Sequence, residues 1–182
     1  MSGLLTGVTM KNFKYCLMIG WLIAPLLFEA QAAAQSSPRE AASRFYALVV
    51  RENPSGLPDA REMRLFNPHL SRNLRSLFGR ARKEQEDFVR ANPQEKPPNV
   101  DGSLFSCLHE GPKRFRAGRP VISGRFAHVE VKQGAKARGG FGWADTLVLV
   151  KEDGRWRVWD VRMGCSWPFR MGPTLRVMLG DK

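Results

Sequence analysis

Cysteine is scarce in this chain of 182 residues, with three in all, and so are histidine (three) and tyrosine (two). His69, His109 and His128 are not spaced with one another or with a cysteine as a metal pair, so no metal site is expected. His109-Glu110 lacks the second histidine of a zinc-protease helix. The chain has no C-x-x-C to depress a thiol pKa, no G-x-S-x-G elbow and no G-x-x-x-x-G-K-S/T loop. Thiol redox catalysis, the serine-hydrolase elbow and P-loop chemistry are thereby excluded, and no cofactor is implied. Nor is there an internal repeat. The longest apolar run, Tyr15 to Phe28, is about 14 residues, short of the roughly 20 that span a bilayer as a helix.

That run has a context. Lys11 and Lys14 precede it, and Ala30-Gln31-Ala32 follows it, giving the basic, apolar, A-x-A order of a secretory signal peptide over residues 1–32. Met10 offers a more ordinary start, and an uncleaved anchor is the alternative because Trp21 to Phe28 is strongly apolar. Cys16 falls inside the leader at a place no lipobox could use. Cleavage leaves a mature chain of about 150 residues, enough for one domain with its own core, and no transmembrane span. The expected location is periplasmic or secreted, where Cys107 and Cys165 can form a lasting bridge. Two free buried thiols are the alternative.

Acid is the other deficit, with 29 Lys+Arg against 17 Asp+Glu and a net charge of +12. Such an excess attracts anionic partners at long range without a specific site. Export argues against nucleic acid and turns attention to anionic envelope polymers. Scattered as they are, the same charges also describe a well-solvated surface.

Ser37-Pro38-Arg39-Glu40 reads as a capping box with proline at the first helical position, opening a helix to about Arg51. Asn53-Pro54-Ser55-Gly56 and Pro58 break it, and a short helical turn is expected near Asp59 to Leu65. Asn67-Pro68 is taken to open a long amphipathic helix through Leu70, Leu74, Leu77, Phe78, Ala81 and Phe88, ending before Asn92-Pro93. From Pro120 the period becomes alternating. Arg125 to Lys132, Trp143 to Lys151 and Arg155 to Arg162 read as strands, the last two joined at Glu152-Asp153-Gly154. Gln133 to Gly142 reads as a basic, glycine-rich loop, and Thr174 to Leu179 as a helical turn or an edge strand. Helices followed by an antiparallel meander predict an α+β fold with N-terminal helices packed on a curved sheet, as one domain over residues 36–180.

Phe45-Tyr46 in the capped helix, the Leu70-Ser71 to Leu77 helix leading to Glu86-Asp87, the Asp101-Gly102-Ser103-Leu104-Phe105 turn, Glu110-Gly111 and the closing Trp156-Arg157-Val158-Trp159-Asp160-Val161 together resemble a family of secreted bacterial proteins known only as a domain of unknown function. The resemblance covers about Pro38 to Leu179, through loose structural motifs. It implies the nuclear-transport-factor-2-like (cystatin-like) cone, a curved sheet wrapped on helices with a cavity at its wide end, and it carries over no catalytic residue.

Alternation puts Trp156, Val158 and Asp160 on one face of the last strand, so a carboxylate accompanies core side chains. Buried, Asp160 needs a partner or becomes a candidate acid or base, with His128, Tyr46 and Asp145 as expected neighbours. The same strand pattern puts His128 opposite Val129 and Val131, facing water if the valines face the core. Phe126, Trp143, Trp156, Trp159, Trp167 and Phe169 are expected to be mostly core, with some lining a cavity mouth, and Tyr46, Trp143, Trp156 and Asp160 are the candidate pocket residues. Three readings of function are open. The preferred one is a non-enzymatic exported module, stapled by Cys107–Cys165, that binds an unidentified ligand or envelope protein. The second is a hydrolase or isomerase working through Asp160 and His128. The third is a cationic module that docks on anionic envelope polymers through the second helix and the Gln133–Gly142 loop.

Overall fold

Ser37 accepts the Glu40 amide hydrogen while the Glu40 carboxylate accepts that of Ser37, so the expected capping box opens α1, Pro38–Glu52. Asn53 ends α1 in the left-handed region, at a φ of 45° that asparagine tolerates. The computed structural model describes residues 37–165 and 172–181; the leader segment, Trp167 and Phe169 lie outside them. A second capping box, Asp59 with Glu62, starts α2, Ala60–Phe66. Helix α3, Arg72–Ala91, is capped by Ser71, whose hydroxyl accepts from the Leu74 amide.

The long helix therefore starts after Asn67-Pro68, not at it. Residues 67–70 make a turn and then a short extended step, in which Leu70 bridges Val158 in parallel. The Val158 amide donates to the His69 carbonyl, and the Ser71 amide donates to the Val158 carbonyl, each at 2.8 Å. These bonds occupy edge groups of the last strand that would otherwise stand open, which outweighs local helix signals.

Four strands form one antiparallel sheet in chain order: β1 Arg114–Ser123, β2 Phe126–Gly134, β3 Trp143–Glu152 and β4 Arg155–Arg162. The fold is α+β. Strand β1 is one more than the sequence pattern suggests. Gly118, Arg119 and Pro120 interrupt its alternation, and the register with β2 shifts between Ala117 and Pro120. Proline is tolerated there because β1 is an edge strand. Strand β2 also runs on to Gly134, shortening the basic loop to 135–142. At the other edge, Thr174 bridges Arg162 and then caps the single turn α4, Leu175–Met178, so the tail combines both expected forms. Among the described residues, no helix is long and apolar enough to cross a membrane.

One face of the sheet carries the core. Ala127, Val129, Val131, Leu147, Leu149, Val158 and Val161 join Phe45, Leu48 and Val49 of α1 and Leu74, Leu77 and Phe78 of α3. Phe105, from the loop between α3 and β1, sits among them fully buried. Its ring stacks on Phe66 at 4.8 Å and meets Phe45 edge-on at 5.3 Å.

Candidate functional site

Cys107 and Cys165 are joined by a disulfide, with their Cα atoms 5.9 Å apart. The bridge ties the loop after α3 to the end of β4. A buried polar cluster holds the same two segments. Asp145 of β3 accepts from the Cys107 amide at 2.9 Å, the Gln133 side-chain amide at 2.7 Å and the Gly164 amide at 2.8 Å. Ser106 donates its hydroxyl to the Gln133 side-chain carbonyl and accepts from the Leu108 amide at 2.9 Å. Tyr46 of α1 donates to the Phe105 carbonyl at 3.2 Å. Burial, and then the Asp145 charge, push the Tyr46 phenol well above its usual pKa, while the Gln133 bond pulls the other way. Neutral Tyr46 is thus a fixed hydrogen-bond donor. Gly164 suits its place by lacking a side chain: a Cβ there would lie 1.7 Å from the Ala144 carbonyl oxygen.

Asp160 is not a member of this group. The register of β3 and β4 shifts between Val148 and Leu149, so that Trp159 is extra, Val158 and Val161 both face the core, and Asp160 pairs with Val148 on the opposite face. The bulge overturns the expectation that Asp160 shares a face with Trp156 and Val158, and it separates Asp160 from Tyr46 and Asp145. His128, on β2, does share the Asp160 face, since both pair with Val148. Val148 stands between them, and two strand spacings put their backbones about 10 Å apart.

The Asp160 carboxylate is already occupied. It accepts from the Val161 amide at 2.8 Å and the Arg176 amide at 3.1 Å, fastening α4 to β4. Burial raises its pKa above the ordinary aspartate value; the Arg176 and Val161 amides, the Thr174 hydroxyl and the Arg176 charge oppose that. The folded state therefore holds this proton more tightly than the unfolded chain does. The stability that results is fully present below the ordinary aspartate pKa and is lost as pH rises through the raised value. Wild type should accordingly lose stability relative to Asp160→Asn between about pH 3 and pH 7. Melting temperatures of the pair across that range check it, and a constant difference would refute it.

The other pocket candidates are dispersed. Tyr46 is wholly buried, Trp143 is half-buried opposite Gln133, and Trp156 packs on the core rim with the Lys151 ammonium 5.9 Å from its ring. The two basic regions are also apart. Arg72, Arg75 and Arg82 border a groove of about 500 Å³ between α2 and α3. Arg72 pairs with Asp153 there, and Arg82 donates to the Pro58 carbonyl. The 135–142 loop meets β1 at Phe141, which the Arg114 and Arg116 guanidiniums cover at 4.2 and 4.9 Å. Helix α3 packs on β4, at the other edge of the sheet.

A larger space than this groove lies elsewhere, against the loop that the disulfide holds. A cavity of about 620 Å³ is bordered by Pro98, Val100, Leu104 and Met178, with Asn99, Ser106, Cys107 and His109 adding polar groups. The Asn99 carbonyl oxygen of the side chain is buried and has no hydrogen-bond partner among the described residues, while its amide nitrogen donates to the Met178 carbonyl at 3.4 Å. Asn99 itself is left-handed, with φ at 55°. Gly102, with φ at 73°, lets the wall turn tightly: a Cβ there would lie 2.4 Å from the His109 ring. The Gly102 carbonyl accepts from the Gly56 amide at 2.8 Å, and the Ser103 amide donates to the His109 carbonyl at 2.7 Å. This wall is thus fixed by backbone bonds, the disulfide and Asp145. Residues 94–100 carry no candidate site in the sequence pattern; the only local signal there is Pro97-Pro98-Asn99 followed by Asp101-Gly102.

Among the described residues, no group of histidine, cysteine, aspartate and glutamate side chains is arranged to hold a metal ion. Comparison with known proteins finds no matching family model, curated sequence or solved structure.

Proposed function

We propose that this chain is an exported, non-enzymatic binding module that takes a small, mainly apolar ligand carrying a hydrogen-bond donor in the cavity between Pro97–His109 and Met178. The observation that carries this reading is the buried, unpaired side-chain oxygen of Asn99 at a wall that is mainly apolar, with Ser106 and His109 among its polar groups. A buried acceptor without a partner costs free energy that a ligand donor would recover. The cavity has the size of small-molecule sites, and its wall is held in place before binding. Export is supported by the leader grammar and by a disulfide of the kind that persists in oxidising compartments. A cone of the nuclear-transport-factor-2 type is supported by the helices-then-meander order and by register shifts in both outer strand pairs, which bend a sheet.

Native mass spectrometry of the protein purified from the envelope tests both parts. Wild type should carry a bound mass that Val100→Trp, which fills the cavity, lacks. An unliganded wild type overturns the binding reading. Full-length protein in the cytosol, with both thiols open to alkylation, overturns export.

A further inference from the structure

The helices bury their side chains on one face of the sheet, and the opposite face has its own apolar band. In register across that face stand Val121, His128, Val148 and Asp160, and next to them Ser123, Phe126, Val150 and Arg157. Val148 and Val150 are buried there, and the half-buried rings of Phe126 and Trp159 meet edge-on at 5.8 Å. At the free end of β1 the band becomes fully open. Val121 is 69% exposed and Ile122 57%, the two highest values among the exposed large hydrophobic residues described. Alternation points them to opposite sides of the strand, so the β1–β2 hairpin tip presents an exposed aliphatic side chain on each side.

Cations surround this band. Arg125 lies in the hairpin turn with its guanidinium 5.3 Å from the Phe126 ring; the Arg176 guanidinium covers the Trp159 ring at 4.1 Å but is already engaged by Asp181 and Asn73. Arg116, Lys132, Arg155 and Arg162 occupy the same sheet face by register. The carboxylates on that face are fewer and partly engaged. Asp160 accepts two backbone amides, Glu152 accepts the Arg72 amide, and Glu130 lies 3.9 Å from Lys132.

We infer that this hairpin tip docks the domain on an anionic phospholipid bilayer, with Val121 and Ile122 entering below the headgroups and Arg125 and the neighbouring arginines of the outer face meeting lipid phosphates. An anionic polymer would satisfy the cations but leave the aliphatic tip in water. A bilayer interface satisfies both, and tryptophan and phenylalanine rings beside guanidiniums suit its chemistry. The inference is independent of the cavity reading, because the two surfaces share no residue.

Co-sedimentation of the mature chain with vesicles tests it. Binding is expected to vesicles of phosphatidylcholine with phosphatidylglycerol, to be much weaker with phosphatidylcholine alone, and to weaken as salt is added. Val121→Ser with Ile122→Ser should lower the partition coefficient about tenfold or more while leaving the melting temperature in place, since both side chains are exposed. Arg125→Ser alone should reduce only the preference for the anionic lipid. Equal binding by the double serine variant and wild type would overturn the inference. So would wild type that ignores the anionic vesicles, and wild type that binds soluble polyphosphate in their place would favour the polymer.

Discussion

Removing the bridge by Cys107→Ser with Cys165→Ser should lower the unfolding free energy by about 4 kcal/mol, the chain-entropy value for cross-linking residues 58 apart. Equilibrium urea unfolding of the mature domain, with and without a thiol reductant, measures it. Three results should coincide: the double variant, either single variant, and reduced wild type, because each removes the same bond. The effect should be felt beyond global stability. Cys107 borders the cavity, and the neighbouring Asp145 bonds hold the same junction, so ligand retention should fall in the oxidised-versus-reduced comparison even where the domain stays folded. If oxidised and reduced wild type unfold at the same urea concentration, the bridge is no staple and the export argument built on it fails.

Local chemistry made the helices readable. Ser37-Pro38-x-Glu40 and Asp59-x-x-Glu62 satisfy the first amides of their helices with side chains three residues apart, and these bonds form wherever the tertiary structure leads. The faces of β2 were equally plain, since nothing interrupts Ala127, Val129 and Val131. Legibility ended where long-range pairing overrides a local pattern. Leu70 has helical spacing to Leu74 and Leu77 but is claimed by the edge of β4. Strand β1 hides behind Gly118 and Pro120, and its place is set by β2 rather than by its own alternation. The same holds for the site. A period-2 reading of Arg155 to Arg162 cannot foresee that one extra residue, Trp159, moves Asp160 to the far face. Asp145, by contrast, obeys its alternation, yet the three amides it accepts come from segments 12, 19 and 38 residues away, which no local pattern encodes.

Phe105→Ala should cost about 3–5 kcal/mol, close to the largest loss a single truncation brings. Four rings meet at this point, since Phe105 touches Phe45, Phe66 and Phe78, and it reaches them from an irregular loop rather than from a helix or strand. Such a loop cannot follow a shrinking side chain inward: Gly56, Tyr46, Asp145 and the disulfide hold its backbone where it is. The void would therefore stay open, and an uncollapsed void is what makes a truncation expensive. Phe105→Leu, which keeps most of the volume, should lose less than half as much. Phe126→Ala, on the half-exposed outer face, should lose less again, about 1 kcal/mol. Urea denaturation midpoints for the three variants, at an unchanged m-value, give the ranking. A Phe105→Ala loss no larger than that of Phe126→Ala would mean that the loop between α3 and β1 lies on the core without filling it, and the fixed cavity wall built on the same loop would go with it.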